Sequence, residues 1–119
     1  KKILIKSREF KIQNYYEGIA KFNFDELCNK NVGSEDYIKI AESCDFVVIE
    51  NIPNFSDDNA NRQQRFITLI DIFYEKKIPL LVSSNFKPSE LGTSTRLESP
   101  FKRTISRIYE LTSPDINIV

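Results

Sequence analysis

The sequence predicts one domain of the α/β class, α+β in layout, with an antiparallel β-meander over 1–24 and an α/β portion over 25–119. Three observations carry that prediction. Apolar residues recur at every second position through the first 24 residues. Two short runs that are apolar throughout, Phe46-Val47-Val48-Ile49 and Ile78-Pro79-Leu80-Leu81-Val82, flank a stripe of helical period. A second helical stripe closes the chain. Strand, helix and strand with short connections make a parallel βαβ unit. At 119 residues and 13.9 kDa there is chain for one modest core and not for two.

The elements follow in order. Ile3 and Ile5, Phe10 and Ile12, and then Ala20, Phe22 and Phe24 mark three strands, with a turn at Asn14-Tyr15-Tyr16-Glu17-Gly18 before the third. Asp25 is placed to cap a short helical turn that Asn31-Val32-Gly33 interrupts. Ser34 then caps a helix over about 35–43, because Tyr37, Ile40, Ala41 and Cys44 fall at i, i+3, i+4 and i+7. The run 46–49 reads as a strand buried from two sides. Ser56-Asp57-Asp58-Asn59 leads into a long helix striped by Phe66, Leu69, Ile70 and Phe73, with Lys76 and Lys77 at its carbonyl end. After the strand at 78–82, residues 83–99 read as a loop, and Ser99-Pro100 opens a helix whose buried side is Phe101, Ile105 and Ile108.

Composition removes several functions. Seventeen Lys and Arg balance seventeen Asp and Glu, so no broad positive field draws the chain to nucleic acid or to an anionic membrane. The absence of His removes the usual neutral-pH base and every His-containing metal site, and Cys28 and Cys44 are too few to close a structural zinc site, so no metal is expected. Two cysteines suit a reducing compartment. No apolar run approaches the roughly 20 residues that span a bilayer, so direct membrane insertion is not expected. The sequence has no Met and opens directly into a strand, which reads as a piece of something longer.

The three glycines do not make a phosphate-cradling loop, so no catalytic residue is assigned within this piece. Glu50 ends a strand at the sheet edge where α/β folds gather ligands and could hold a magnesium-bound water, although a solvated carboxylate explains it as well. Asn85, after Val82-Ser83-Ser84, lies where a nucleotide-sensing side chain could sit, or simply forms a turn before Pro88. Arg103 and Arg107, four residues apart, leave the same helix face and could clamp an anion together, or pair with Glu110 and other acids at a worth of about 0–1 kcal/mol. Arg65 carries the same ambiguity. Tyr15 and Tyr16 are candidate anchors for a protein partner. Base stacking by this segment is not expected, since only Lys21 interleaves with its aromatics.

The ordered segments Gly18-Ile19-Ala20-Lys21-Phe22-Asn23-Phe24-Asp25-Glu26-Leu27-Cys28, Glu35-Asp36-Tyr37-Ile38, Val48-Ile49-Glu50-Asn51-Ile52-Pro53, Arg65-Phe66-Ile67-Thr68-Leu69-Ile70-Asp71 and Arg103-Thr104-Ile105-Ser106-Arg107 resemble the C-terminal part of the ZapE/AFG-type AAA+ P-loop ATPases. The resemblance covers nearly the whole chain. It departs at Gln64, where a second arginine commonly precedes the position of Arg65, at Leu111, where methionine is usual, and in the tail after Thr112. It implies an ATP hydrolase whose Walker segments lie upstream of Lys1, with ATP and Mg2+ bound by that upstream P-loop half and none by this piece alone. It also implies a homo-oligomer, a cell-division or membrane-protein client, and a bacterial cytoplasmic location compatible with peripheral membrane association. On that analogy Arg103, Arg107 and Arg65 become candidates for sensing nucleotide or touching a neighbouring subunit. The competing expectation is a non-catalytic adaptor that binds a client through the meander and the 53–60 loop.

Overall fold

The computed structural model describes residues 2–5, 8–11, 14–16, 18–87 and 90–112, with side chains from Gly18 onward. Its strands are β1 (Lys2–Ile5), β2 (Arg8–Lys11), β3 (Asn14–Tyr16), β4 (Ile19–Asn23), β5 (Phe46–Ile52) and β6 (Leu80–Ser84). Its α-helices are α1 (Phe24–Leu27), α2 (Ser34–Ser43), α3 (Ala60–Glu75) and α4 (Glu98–Thr112), and 3-10 turns at Asp57–Asn59 and Thr95–Leu97 lead into the last two. The architecture is α/β, as the periodicity predicts. One sheet has the order β3-β4-β5-β6, with β3 antiparallel to β4 and the other three strands parallel.

The antiparallel segment differs from a single meander. β1 and β2 pair with each other in a separate two-stranded sheet, whereas β4 joins β5 in parallel, with Ala20 opposite Val47 and Phe22 opposite Ile49. Alternation identifies a strand's faces but not its partner, so both arrangements satisfy the same pattern. The expected turn at 14–18 is shorter, because Asn14–Tyr16 pairs as β3 and the reversal falls at Gly18, whose φ is +87°. The Gly18 carbonyl accepts from the Asp45 and Phe46 amides at 2.7 and 3.1 Å, joining this reversal to the start of β5.

Three helices begin one or two residues earlier than expected. Asn23, not Asp25, caps α1: its side chain accepts from the Asp25 amide at 3.1 Å while Glu26 accepts from the Asn23 amide at 2.8 Å. Gly33 precedes α2, and Asp36 reaches back to accept from its amide at 2.8 Å. The 3-10 turn at Thr95–Leu97 runs directly into α4, which places Pro100 in the first helical turn, where no amide is needed.

The run 46–49 is buried on one side, not two. Val47 and Ile49 are fully buried with Ala20, Phe22 and Leu80, while Phe46 and Val48 alternate with them at intermediate exposure. The buried residues of the sheet and all four helices form one core, so the helices cover one face. On the other, Ile19 stands beside Phe46, and Lys21, Val48 and Leu81 form a row across β4, β5 and β6. Ile19 and Leu81 there are 43% and 50% exposed.

Phenylalanines tie the helical layer together. The ring centroids of Phe24 and Phe66 each lie 5.6–5.8 Å from that of Phe55, and Phe101 meets Phe55 edge-on at 5.4 Å. Such pairs add about 0.5–1.5 kcal/mol beyond area burial. Beneath them the Tyr37 hydroxyl donates to the Leu27 carbonyl at 2.6 Å, beside buried Cys28. Burial pushes the Cys28 thiol from its ordinary 9.0 up to about 12, and raises Tyr37 as well.

A Cβ at Gly18 would collide with the Asp45 carboxylate in a backbone conformation that side chains resist, so Gly18→Ala is expected to cost about 2–3 kcal/mol in urea denaturation. An unchanged midpoint would contradict this. Because Cys28 and Tyr37 both hold their protons more tightly when folded, their contribution is complete below pH 9.0 and declines as pH rises toward about 12. Iodoacetamide at pH 8.5 should label native Cys28 about 100-fold more slowly than the urea-unfolded chain; equal rates would show that the thiol is accessible.

Candidate functional site

The best-built polar feature lies at the start of α3. Ser56 accepts from the Asp58 amide at 3.2 Å, and Asn59 accepts from the Ser56 amide at 2.8 Å, so the polar stretch caps itself and turns into the helix. One side of the first α3 turns is apolar or buried. The other presents Asn61, Arg62 and Arg65.

Buried Gln63 fixes what faces them. Its Nε2 donates to the Thr93 hydroxyl at 2.7 Å and its Oε1 accepts from the Ser94 amide at 2.9 Å. Asp57 accepts from the Thr95 amide at 2.7 Å and from the Thr95 hydroxyl at 3.3 Å. Asn54 accepts from the Gly92 amide, and a Cβ at Gly92 would come within 2.6 Å of the Phe55 carbonyl oxygen. The 92–95 segment is therefore held against the head of α3, and Arg96 next to it reaches Asn61 at 3.5 Å. The result is a polar cleft of about 850 Å³ whose lining includes Lys30, Arg62, Arg65 and Arg96.

The residues singled out by sequence fall in separate places. Arg65 lines this cleft, half-buried, with its guanidinium donating to the Asn61 carbonyl at 3.3 Å. Arg107 is 2.5 Å from Asp71 and lies over the Tyr74 ring at 4.7 Å, which makes it a brace between α4 and α3. Arg103 is exposed, and among the described residues it has no ion-pair partner. Arg103 and Arg107 thus do not converge on one anion here. Glu50 pairs with Lys21 at 3.2 Å on the open sheet face. Asn85 is exposed just beyond β6, where the Ser84 hydroxyl donates to the Ile52 carbonyl at 2.5 Å and accepts from the Phe86 amide at 3.1 Å. The side chains of Tyr15 and Tyr16 lie outside those described.

Among the described residues no group of three or more His, Cys, Asp or Glu is placed to hold a metal ion. With Glu50 committed to Lys21 and no Gly-rich phosphate loop in the sequence, these residues do not fit a magnesium–triphosphate site of their own. No described helix is long and apolar enough to cross a membrane. Sequence reasoning missed Arg62, Arg96 and Gln63. The three-residue spacing of Arg62 and Arg65 on one helix was a usable signal, whereas Arg96 arrives from a distant loop.

Fold and surface together define an α/β domain with a one-sided, chiefly parallel sheet and a basic cleft at the head of its central helix. The chain belongs to the AFG1-like ATPase family, which matches residues 1–118. It is 35% identical over 78 residues to Lactation elevated protein 1 homolog B of Danio rerio, a match covering 66% of this chain and 16% of that protein. It is 30% identical over 93 residues to Cell division protein ZapE of Escherichia coli strain K12, covering 78% of this chain and 25% of that one. The chain thus spans a quarter or less of the length of these relatives. No solved structure matches.

The brace yields a prediction. Asp71 and Arg107 are both partly exposed, so Arg107→Ala is expected to lower stability by only about 1 kcal/mol, ion pair and ring stacking combined. Arg107→Lys keeps the charge and loses the planar stack, and should fall between the two in urea denaturation. Wild-type stability in Arg107→Ala would show that the contact contributes nothing.

Proposed function

We propose that this chain is the C-terminal α/β portion of an ATP hydrolase, packing against a P-loop half elsewhere in the same polypeptide and lending it an arginine. The observation that carries the reading is the match of residues 1–118 to an ATPase family in a sequence that lacks a phosphate loop. ATP and Mg2+ would be held by the other half. The open sheet face supports this: Ile19, Phe46, Val48 and Leu81 are apolar side chains on the face opposite the four helices among the described residues, as expected of a face that meets another layer. Arg103 is the guanidinium best placed to reach outward to nucleotide or to a neighbouring subunit, because Arg107 is already engaged. A homo-oligomer, a bacterial cytoplasmic location and a client in cell division or among membrane proteins belong to the same proposal. The ZapE relative is named as a cell-division protein.

Turnover assays test it. The chain alone should hydrolyse no ATP. In the intact parent, Arg103→Ala should lower kcat by on the order of tenfold or more at unchanged Tm, while Arg107→Ala should act chiefly through stability. Turnover and assembly unaffected by Arg103→Ala would remove this arginine from the mechanism, and hydrolysis by the chain alone would remove the division of labour.

A further inference from the structure

We propose that the cleft at the head of α3 is a binding site for an oligophosphate anion, held jointly by Arg62, Arg65 and Arg96 with Lys30 at its rim. The chain as a whole is neutral, yet this one cleft is lined by four cations, Lys30, Arg62, Arg65 and Arg96, against two carboxylates, Asp57 and Asp58. Asp57 is further occupied, since both of its oxygens accept hydrogen bonds from Thr95. The cations are weakly matched internally. Arg62 meets Asp25 at 3.5 Å with both side chains largely exposed, at 57% and 73%, and among the described residues Arg65 and Arg96 hydrogen-bond neutral oxygens of Asn61. Guanidinium groups that bond neutral oxygens retain donors for a stronger acceptor, and a phosphate presents the geometry their planar forks match.

The arrangement is held in place by the fold. Arg62 and Arg65 are three residues apart on α3, and Arg96 is brought to them by the Gln63 and Asp57 hydrogen bonds to residues 93–95. The position at 64, occupied by Gln, is therefore bypassed: the companions of Arg65 come from one helical turn earlier and from a separate loop. A volume of about 850 Å³ admits several linked phosphates. Their successive charges suit three separated guanidiniums better than a single orthophosphate does. This site is independent of the turnover role given to Arg103.

Arginine footprinting on the intact parent protein tests the site residue by residue. Phenylglyoxal labelling is followed by mass spectrometry at Arg62, Arg65 and Arg96, with Arg103 as the reference, in inorganic tripolyphosphate or in citrate at matched ionic strength. Tripolyphosphate should slow labelling of all three by about fivefold or more, with citrate far less effective and Arg103 unchanged. In Arg96→Ala that protection at Arg62 and Arg65 should largely disappear. Because each arginine is read separately, anion bound elsewhere in the parent does not mimic this pattern. No protection, equal protection by citrate, equal protection at Arg103, protection that omits Arg96, or full protection retained in Arg96→Ala would each overturn the proposal.

Discussion

The arrangement of the functional surface depends on one buried amide. Gln63 is completely shielded from water, and both ends of its side chain are satisfied, one by the Thr93 hydroxyl and the other by the Ser94 amide. A neutral hydrogen bond contributes only about 1 kcal/mol net, but leaving such a group unpaired inside the protein costs about 1–3 kcal/mol. Residues 93–94 therefore have little freedom to move away from α3. From that anchor the chain enters the 3-10 turn at Thr95–Leu97 and then α4, so the same contact sets where Arg96 points and where Phe101 enters the phenylalanine cluster.

The one-sided sheet is the second constraint. Ala20, Phe22, Val47, Ile49 and Leu80 are sealed under the helices, and the residues alternating with them include apolar Ile19, Phe46, Val48 and Leu81 beside Lys21 and Glu50. A sheet face meant for water would carry more polar side chains, and among the described residues Lys21 with Glu50 is the ion pair found on this one. Membership in a family whose relatives are at least four times longer than the matched segment is consistent with this face meeting further structure. The fold thus divides its surfaces, with apolar residues behind the sheet and cations at the head of α3.

Much of the fold was legible in the sequence because it rests on local period. The stripe of Phe66, Leu69, Ile70 and Phe73 gives α3, and Tyr37, Ile40 and Ala41 give α2, with no knowledge of partners. What was not legible is non-local. The alternation of Ala20 and Phe22 is the same whether β4 pairs in a meander or beside β5, and apolar residues at 46–49 look alike whether one face or two is covered. Capping shifted by two residues at Asn23 and by one at Gly33, where a neighbouring position offered an equivalent bond. Of the site, Arg65 and the arginines of α4 could be named from spacing. Their separation could not: only packing shows Arg107 drawn onto Asp71 and Tyr74, and Arg96 carried to Arg62 and Arg65 by an amide 31 residues away from its partner.

Native-state hydrogen exchange at the Ser94 amide tests the anchoring most directly. If Gln63 holds this segment as the geometry requires, that amide should exchange at least about a thousandfold more slowly than in an unstructured peptide, opening only with the α3 core around it. Exchange at the rate of a free loop would contradict the account, because residues 93–96 would then be loose and the three guanidiniums would have no fixed relation to one another.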